Sequence, residues 1–367
     1  MMRSFGDVYR NKRILITGHT GFKGSWLSTW LLELGAEVNG FSLDVPTNPS
    51  NFEVLGLKKR LKHITGDVRN LKQLEKAFDR VKPEIVFHLA AQAITRQSYE
   101  DPQATLFTNA GGTVNVLECI RRSGSVSAAV FITSDKCYQN VEWIWGYREN
   151  DRLGGDDPYS ASKACAEITC QSYIKSFFQK RNSPRVSTAR AGNVIGGGDW
   201  AIDRIIPDCL RAFSKKKKLE IRSPSSTRPW QHVLEPLSGY LWLGTNLYKN
   251  NKIVSGESFN FGPQNIESWT VKDLITEFVK RWGHGKWSAS VKKSSDKKEA
   301  TLLKLNCDKA LARLKWQAIL SFSDTVRFTA DWYKAYSESE DDMYDLTVGQ
   351  IEEYTENAVI KKIAWSK

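Results

Sequence analysis

The chain has 367 residues, enough for about two domains and a core that needs no disulfide or metal staple. Apolar residues make up 41% and charged residues 26%, as in ordinary globular proteins, and no run of eighteen apolar residues is present to span a membrane. Lys plus Arg number 53 against 41 Asp plus Glu, a formal charge of +12, which suits either nucleic acid or a small phosphorylated substrate. The positive charge is dispersed. Its densest run, residues 215–218, reads as a solvated helix end, and no zinc-finger, RNP or basic-zipper pattern supports nucleic-acid binding. Six scattered cysteines without a CxxC pair predict a cytoplasmic protein with free thiols and no structural metal. Residues 1–13 are polar and do not read as a signal peptide.

Along the first 190 residues, short β-rich runs alternate with amphipathic stretches. Strands are predicted at 13–17, 37–43, 62–65, 85–89, 129–133 and 185–190, and helices at 24–34, 71–78, 105–121 and 160–180. That alternation predicts an α/β fold with a Rossmann-type doubly wound parallel sheet. Beyond Gly192 the pattern is irregular. Helical pieces at 204–214, 271–282, 303–314 and 323–337, with short strands at 219–222 and 258–261, predict a smaller mixed α/β domain. The division expected is a dinucleotide-binding domain over 1–192, with a segment near 230–262 returning to it, and a second domain over 193–367. The acidic run 338–342 reads as a solvated turn.

Gly18-His19-Thr20-Gly21-Phe22-Lys23-Gly24 follows the first strand and opens the first helix. Glycines at 18, 21 and 24 permit a tight turn, close backbone approach to a pyrophosphate and close helix–strand packing. The helix N-terminus adds free N–H groups and a positive dipole. Asp44 closes the second strand, where a carboxylate accepts from a ribose 2′-hydroxyl and repels a 2′-phosphate; this favours NAD over NADP. Asp67 is placed to meet the adenine. Leu89-Ala90-Ala91-Gln92 ends the fourth strand with small residues that admit a dinucleotide, although packing alone also accounts for them.

Tyr159 and Lys163 lie four apart at a helix start and so share one face. A phenol ionises near pH 10, and a neighbouring ammonium with a nicotinamide cation makes it a usable base. Thr133-Ser134-Asp135-Lys136 ends the fifth strand. Strand C-termini face the ligand crevice in such sheets, so a hydroxyl, a carboxylate and an amine arrive there together.

The glycine triplet, the strand-end segment and the YxxxK together resemble the extended short-chain dehydrogenase/reductase superfamily. Within it the chain is similar to the CDP-glucose 4,6-dehydratases. That closer likeness is carried by Asp135-Lys136-Cys137-Tyr138, Trp145-Gly146-Tyr147-Arg148-Glu149, Gly196-Gly197-Gly198-Asp199-Trp200 and Arg228-Pro229-Trp230-Gln231-His232, and it runs from about residue 10 to about residue 335. Relatives acting on dTDP-glucose carry Asp-Glu where this chain has Asp135-Lys136.

The resemblance implies dehydration of CDP-glucose to CDP-4-keto-6-deoxyglucose by internal hydride transfer, in deoxysugar biosynthesis of the lipopolysaccharide type. Tyr159 would take the 4-hydroxyl proton, with Lys163 tuning it and Ser134 bonding the 4-oxygen. Asp135 would be the acid at the 6-hydroxyl and Lys136 the base at carbon 5. The resemblance adds Val68 and Thr108 to the NAD contacts, with Tyr159 and Lys163 counted among them. Substrate contacts are expected at Asn193, Arg204, Arg228, Trp230 and His232, though core packing also explains the Trp, and His232 reads equally as a satisfied structural histidine. The loop 142–147 is a candidate cover for the sugar. A homodimer or dimer of dimers is expected through helices 105–121 and 160–180. The competing readings are a nucleotide-sugar 4-epimerase or a dehydratase for another nucleotide sugar, and a non-catalytic nucleotide-binding or RNA-binding protein suggested by charge alone.

Overall fold

In a strand, successive side chains face opposite sides, and a strand covered on both faces is apolar throughout. The first strand behaves this way. Ile14 and Ile16 enter one core, while Leu15 enters the other. The computed structural model describes residues 3–263, 269–289, 302–338 and 342–367. Its main sheet has seven parallel strands: β1 Arg13–Thr17, β2 Glu37–Ser42, β3 Lys62–Thr65, β4 Ile85–His88, β5 Ala128–Ile132, β6 Arg185–Ala191 and β7 Ser258–Phe261. They lie in the order β7-β6-β5-β4-β1-β2-β3. The order reverses between β1 and β4, which opens a crevice at their carboxyl ends. All six strands predicted before residue 192 are present, with ends shifted by a residue or so.

Five helices matter for the site: α1 Phe22–Glu33, α2 Leu71–Val81, α3 Gly112–Arg122, α4 Pro158–Phe177 and α5 Leu234–Tyr248. Leu74, Phe78, Leu117, Ile120 and Ile174 from α2, α3 and α4 pack on Leu15, Val86 and Phe131. On the other face Trp26, Trp30, Leu237 and Leu241 from α1 and α5 pack on Ile14, Ile85, Phe87 and Val130. The start of α4 is set by its sequence. Pro158 occupies the first turn, where its missing N–H costs nothing, and the Asp157 carboxylate accepts from the Ser160 N–H at 2.9 Å.

Several elements differ from expectation. The helix predicted at 105–121 is interrupted by a π-turn, Phe107–Gly111, between Pro102–Leu106 and α3. The piece predicted at 303–314 is helical only over Asp308–Leu314. Helix α5 and the helix Met343–Ile360 are additional. Of the acidic run at 338–342, residues 339–341 lie outside the described residues. The strand at Ser258–Phe261 joins the main sheet beside β6.

The C-terminal helices dock on α5 through a buried carboxylate. Glu235 accepts the Ile319 and Leu320 N–H groups at 2.8 and 2.6 Å and the Tyr354 hydroxyl at 2.7 Å. Burial outweighs these donors and raises its pKa from 4.5 to about 7. The folded state therefore binds the extra proton between those values, so this group removes stability as pH rises through that window. Glu235→Gln keeps an acceptor without the charge. Its melting temperature relative to the parent is expected to climb between pH 5 and pH 7.5; a pH-independent difference would show that Glu235 is ionised throughout.

Candidate active site

The loop between β1 and α1 is shaped by contacts that exclude side chains. Gly18 has φ +77°, and a Cβ there would lie 2.6 Å from the Ala90 nitrogen. A Cβ on Gly24 would lie 2.2 Å from the Gly18 carbonyl oxygen. Gly21 caps α1 and meets only the Gly18 oxygen, at 3.4 Å, so the helix N-terminus opens outward with Phe22 and Lys23 in its first turn. A pyrophosphate fits this cradle: it needs close backbone approach and the unpaired N–H groups of a helix start.

The loop is held from below by a pair of histidines that sequence reasoning missed. His19, fully buried, bonds His63 Nδ1 through Nε2 at 2.7 Å and Ser42 Oγ through Nδ1 at 2.9 Å. Burial pushes its pKa down to about 3, so the ring stays neutral. The two histidines are 44 residues apart, and nothing local pairs them.

The Thr20 hydroxyl donates to the Asp44 carbonyl at 2.6 Å, which sets exposed Asp44 beside the loop. On this geometry NAD is expected to be preferred over NADP, because the carboxylate and a 2′-phosphate repel by several kcal/mol. Asp44→Asn should narrow the ratio of kcat/KM values about 10-fold or more; an unchanged ratio would remove Asp44 from cofactor selection.

Asp67 is engaged by Arg69 at 2.6 Å, and hydrogen bonds from Arg69 outweigh partial burial to hold its carboxyl below the usual range. Val68 is buried, its carbonyl accepting from Asn115 at 2.9 Å. Gly112 lets α3 close on it, since a Cβ there would lie 2.8 Å from Val68 Cγ2. Leu89 and Ala90 extend β4, their N–H groups bonding the Thr17 carbonyl and hydroxyl at 3.0 and 3.3 Å. Ala91 and Gln92 continue to the π-turn, which contains half-buried Thr108. There the Asn109 side chain accepts from Gln92 N–H at 2.8 Å, and donates to the Gln92 carbonyl at 3.0 Å and to Ser162 Oγ at 2.8 Å. One amide thus ties the exit of β4 to α4. Such π-turns are frequent at functional sites.

Ser134 caps the short turn Asp135–Cys137 at the end of β5. Its hydroxyl donates to Asp135 Oδ1 at 2.9 Å and accepts from the Lys136 N–H at 3.3 Å. Asp135 is buried, and burial raises its carboxyl pKa against the pull of Lys136, Ser134 and Lys23. Lys136, the next residue, is half-buried.

Across from this turn, α4 presents Tyr159 and Lys163 one turn apart, both buried. Burial raises the phenol to about 12; a hydrogen bond with Ser134 opposes this and the Asp135 charge adds to it. Burial lowers Lys163 to about 8, offset by Cys137 and Glu167. Lys23 reaches the same place from the phosphate loop. Burial and then Arg204 lower it to about 7, while Asp135 opposes them. Glu167 continues the face of Tyr159 and Lys163. It accepts from Thr133 at 2.5 Å, Arg190 at 2.7 Å, Thr188 at 2.8 Å and Ser258 at 3.2 Å, and so pins α4 to β5, β6 and β7.

Later segments close the site. A Cβ on Gly192, just after β6, would lie 3.1 Å from Asp135 Oδ2 and 3.2 Å from Pro229 Cγ. Asn193 follows, half-buried, its carbonyl accepting from the Gln231 N–H at 3.2 Å. Arg204 pairs with Asp199 at 3.5 Å, and its charge acts on both Tyr159 and Lys23. Arg228 donates to the Thr227 carbonyl at 2.8 Å. The structure places the other two expected contacts among core side chains. Trp230 is buried in the main core, and His232 has no exposure, its ring edge-on to Trp26 at 5.7 Å and to Phe328 at 5.3 Å. Trp200 packs on Trp332, Tyr333 and Tyr336.

The sequence model described as GDP-mannose 4,6 dehydratase matches residues 15–329, most of the chain. The chain belongs to the GDP-mannose 4,6-dehydratase family. It is 47% identical over 339 residues to the CDP-glucose 4,6-dehydratase of Salmonella typhimurium, covering 91% of this chain and 94% of that one. In fold it is similar to the dTDP-glucose 4,6-dehydratase of Streptomyces venezuelae, solved with NAD bound (TM-score 0.75, 22% identity, 90% and 99% coverage). It is equally similar to the UDP-glucuronic acid 4-epimerase of Bacillus cereus, solved with UDP-glucuronic acid and NAD (TM-score 0.75, 23% identity, 88% and 99% coverage).

Proposed function

We propose that this chain is an NAD-dependent hydro-lyase that converts CDP-glucose to CDP-4-keto-6-deoxyglucose, serving deoxysugar biosynthesis. The observation that carries the reading is the meeting of two sets of groups. Tyr159 and Lys163 supply the proton acceptor for hydride transfer and its cationic partner, and Asp135 with Lys136 supplies a spare acid and base at the same strand ends. The likeness to the Salmonella enzyme over nearly its whole length supports the nucleotide.

Residues 18, 20–24, 44, 67–68, 89–92, 108, 159 and 163 are the proposed NAD contacts. Bound NAD supplies the hydride acceptor for carbon 4, the hydride donor for carbon 6, and a positive charge near the phenol. Tyr159 takes the 4-hydroxyl proton, Ser134 holds the 4-oxygen and Lys163 stabilises the phenolate. The resulting ketone acidifies the carbon-5 proton, which Lys136 removes. The electron pair left on carbon 5 forms a double bond to carbon 6 as the C–O bond breaks. Asp135 gives its proton to the departing oxygen, and water leaves. Lys136 then returns its proton to carbon 5 as carbon 6 receives the hydride, and Tyr159 releases the proton it gained while Asp135 takes one up, so the groups are restored. Burial raises the Asp135 carboxyl pKa, the direction an acid needs. Arg204, Arg228 and Asn193 hold the diphosphate and sugar, since guanidinium binds phosphate bidentately.

Residues 1–192, with the stretch near 230–262, form the cofactor domain in this proposal, and 193–367 mainly bind the nucleotide sugar. The chain works in the cytoplasm as a dimer or dimer of dimers; exposed Leu106, Phe107, Ile168 and Phe177 near and on α4 support a helical interface. Among the described residues, no helix is long and apolar enough to cross a membrane. The test is incubation with NAD and CDP-, dTDP-, GDP- and UDP-glucose. A 4-keto-6-deoxy product from the CDP sugar alone is expected; turnover of another sugar in its place would reassign the substrate, and a 4-epimer product would reassign the reaction.

A further inference from the structure

Tyr159 stands in the first turn of α4, so the placement of its phenol depends on the backbone there. The first N–H groups of a helix have no partner within it. Pro158 has none to offer, which makes the Tyr159 N–H the first donor within α4. The Asp157 side chain does not take it: that carboxylate accepts from the Ser160 N–H at 2.9 Å and the Ser160 hydroxyl at 2.6 Å. The Tyr159 N–H donates instead to the hydroxyl oxygen of Ser98 at 3.2 Å. Ser98 has no solvent exposure and belongs to a different element, the short helix Thr95–Glu100. Its hydroxyl donates to the Thr95 carbonyl at 2.6 Å, which leaves the oxygen as an acceptor for α4.

The other side of the same residue is held as well. The Tyr159 carbonyl accepts from the Ser162 hydroxyl at 2.7 Å, and Ser162 Oγ accepts from Asn109, whose amide is bonded to the Gln92 backbone. Gln92 closes the circuit. Its side chain accepts from the Ile94 N–H at 2.6 Å and donates to the Ile94 carbonyl at 2.9 Å, and that carbonyl accepts from the Ser98 N–H at 3.2 Å. The N–H and the C=O of Tyr159 thus belong to one ring of neutral hydrogen bonds that passes through the exit of β4 and the π-turn. We infer that Ser98 is a positioning residue for the oxidation at carbon 4: it fixes the first turn of α4, and with it the distance from the Tyr159 phenol to the 4-hydroxyl and to Lys163. The inference rests on the reading of Tyr159 as the proton acceptor. The elimination does not depend on Ser98, because Asp135 and Lys136 stand at the end of β5.

The test compares Ser98→Ala, Ser98→Thr and Tyr159→Phe with the parent, each as holoenzyme with CDP-glucose. In Ser98→Ala the oxidation, followed as nicotinamide reduction by stopped flow, should slow about 10-fold or more, since a misplacement of about 1 Å can cost about 10²-fold. KM, NAD affinity and the rate of dehydration after oxidation should hold. The acid limb of the oxidation rate should move to higher pH, because a phenol displaced from the Lys163 ammonium gives up its proton less readily. The other charged groups acting on that phenol, Asp135, Arg204 and Asp157, are left in place by the substitution. Ser98→Thr keeps the hydroxyl and should restore both the rate and the limb. Oxidation in Ser98→Ala at the parent's rate with an unmoved limb would overturn the inference. So would oxidation and dehydration slowed by the same factor, or a Ser98→Thr variant as slow as Ser98→Ala. If Tyr159→Phe is inactive while Ser98→Ala is normal, only the inference falls. If Tyr159→Phe oxidises at the parent's rate, the reading of Tyr159 fails and the inference falls with it.

Discussion

Tyr159→Phe is expected to stop the first oxidation while NAD still binds. The phenol, one turn from Lys163 on α4, is hydrogen-bonded with Ser134 and so is placed to meet a 4-oxygen held there. Removing one acid–base group costs about 10²- to 10⁴-fold in rate. The free site holds the phenol neutral, near a pKa of about 12. Its use as a base therefore depends on positive charge arriving with the cofactor and on Lys163 staying protonated. Lys163 sits at about 8, so the ammonium persists at neutral pH. Fluorescence titration with NAD and stopped-flow formation of the reduced nicotinamide separate the two effects. A variant that binds NAD and oxidises at the parent's rate would remove Tyr159 from the mechanism.

Asp135→Asn and Lys136→Met should leave that oxidation running and slow the loss of water. Successive positions diverge in direction, so the two side chains reach different parts of one sugar. Asp135 is 4% exposed, so it is not half of a surface ion pair; such a pair would be worth about 0 to 1 kcal/mol and leave kinetics normal. The expected signal is reduced cofactor that persists with substrate bound. Lys136→Met should also slow exchange of the carbon-5 proton with solvent. If either substitution blocks the oxidation and leaves later steps at their normal rates, the division of labour between α4 and the end of β5 is wrong.

The features legible in the sequence are those set by local sterics and period. Gly18 and Gly24 are unavoidable where backbone passes backbone within contact distance, and the β-rich runs mark the sheet because both its faces are buried. Helix α5 escaped notice for the opposite reason. Leu234–Tyr248 is apolar nearly all round, so it shows no 3.6-residue stripe, and Pro236 reads as a breaker although it sits harmlessly in the first turn. The π-turn is a tertiary effect: Asn109 grips Gln92, seventeen residues away. The same holds for the His19–His63 pair and for Glu167, whose partners come from three strands. Tyr159, Lys163 and Asp135 could be named from motif and strand position. The burial that moves their proton affinities could not, since it depends on α5, Gly192 and Lys23 closing around them.

The central claim is that oxidation at carbon 4 and reduction at carbon 6 occur in one site on one sugar. CDP-glucose carrying deuterium at carbon 4 tests this directly, with the product read by mass spectrometry and NMR. The deuterium is expected in the carbon-6 methyl group of the same molecule, and unlabelled substrate mixed in should acquire none. Deuterium returned to carbon 4 with inverted configuration would mark an epimerase, and deuterium scrambled between molecules would contradict the internal transfer.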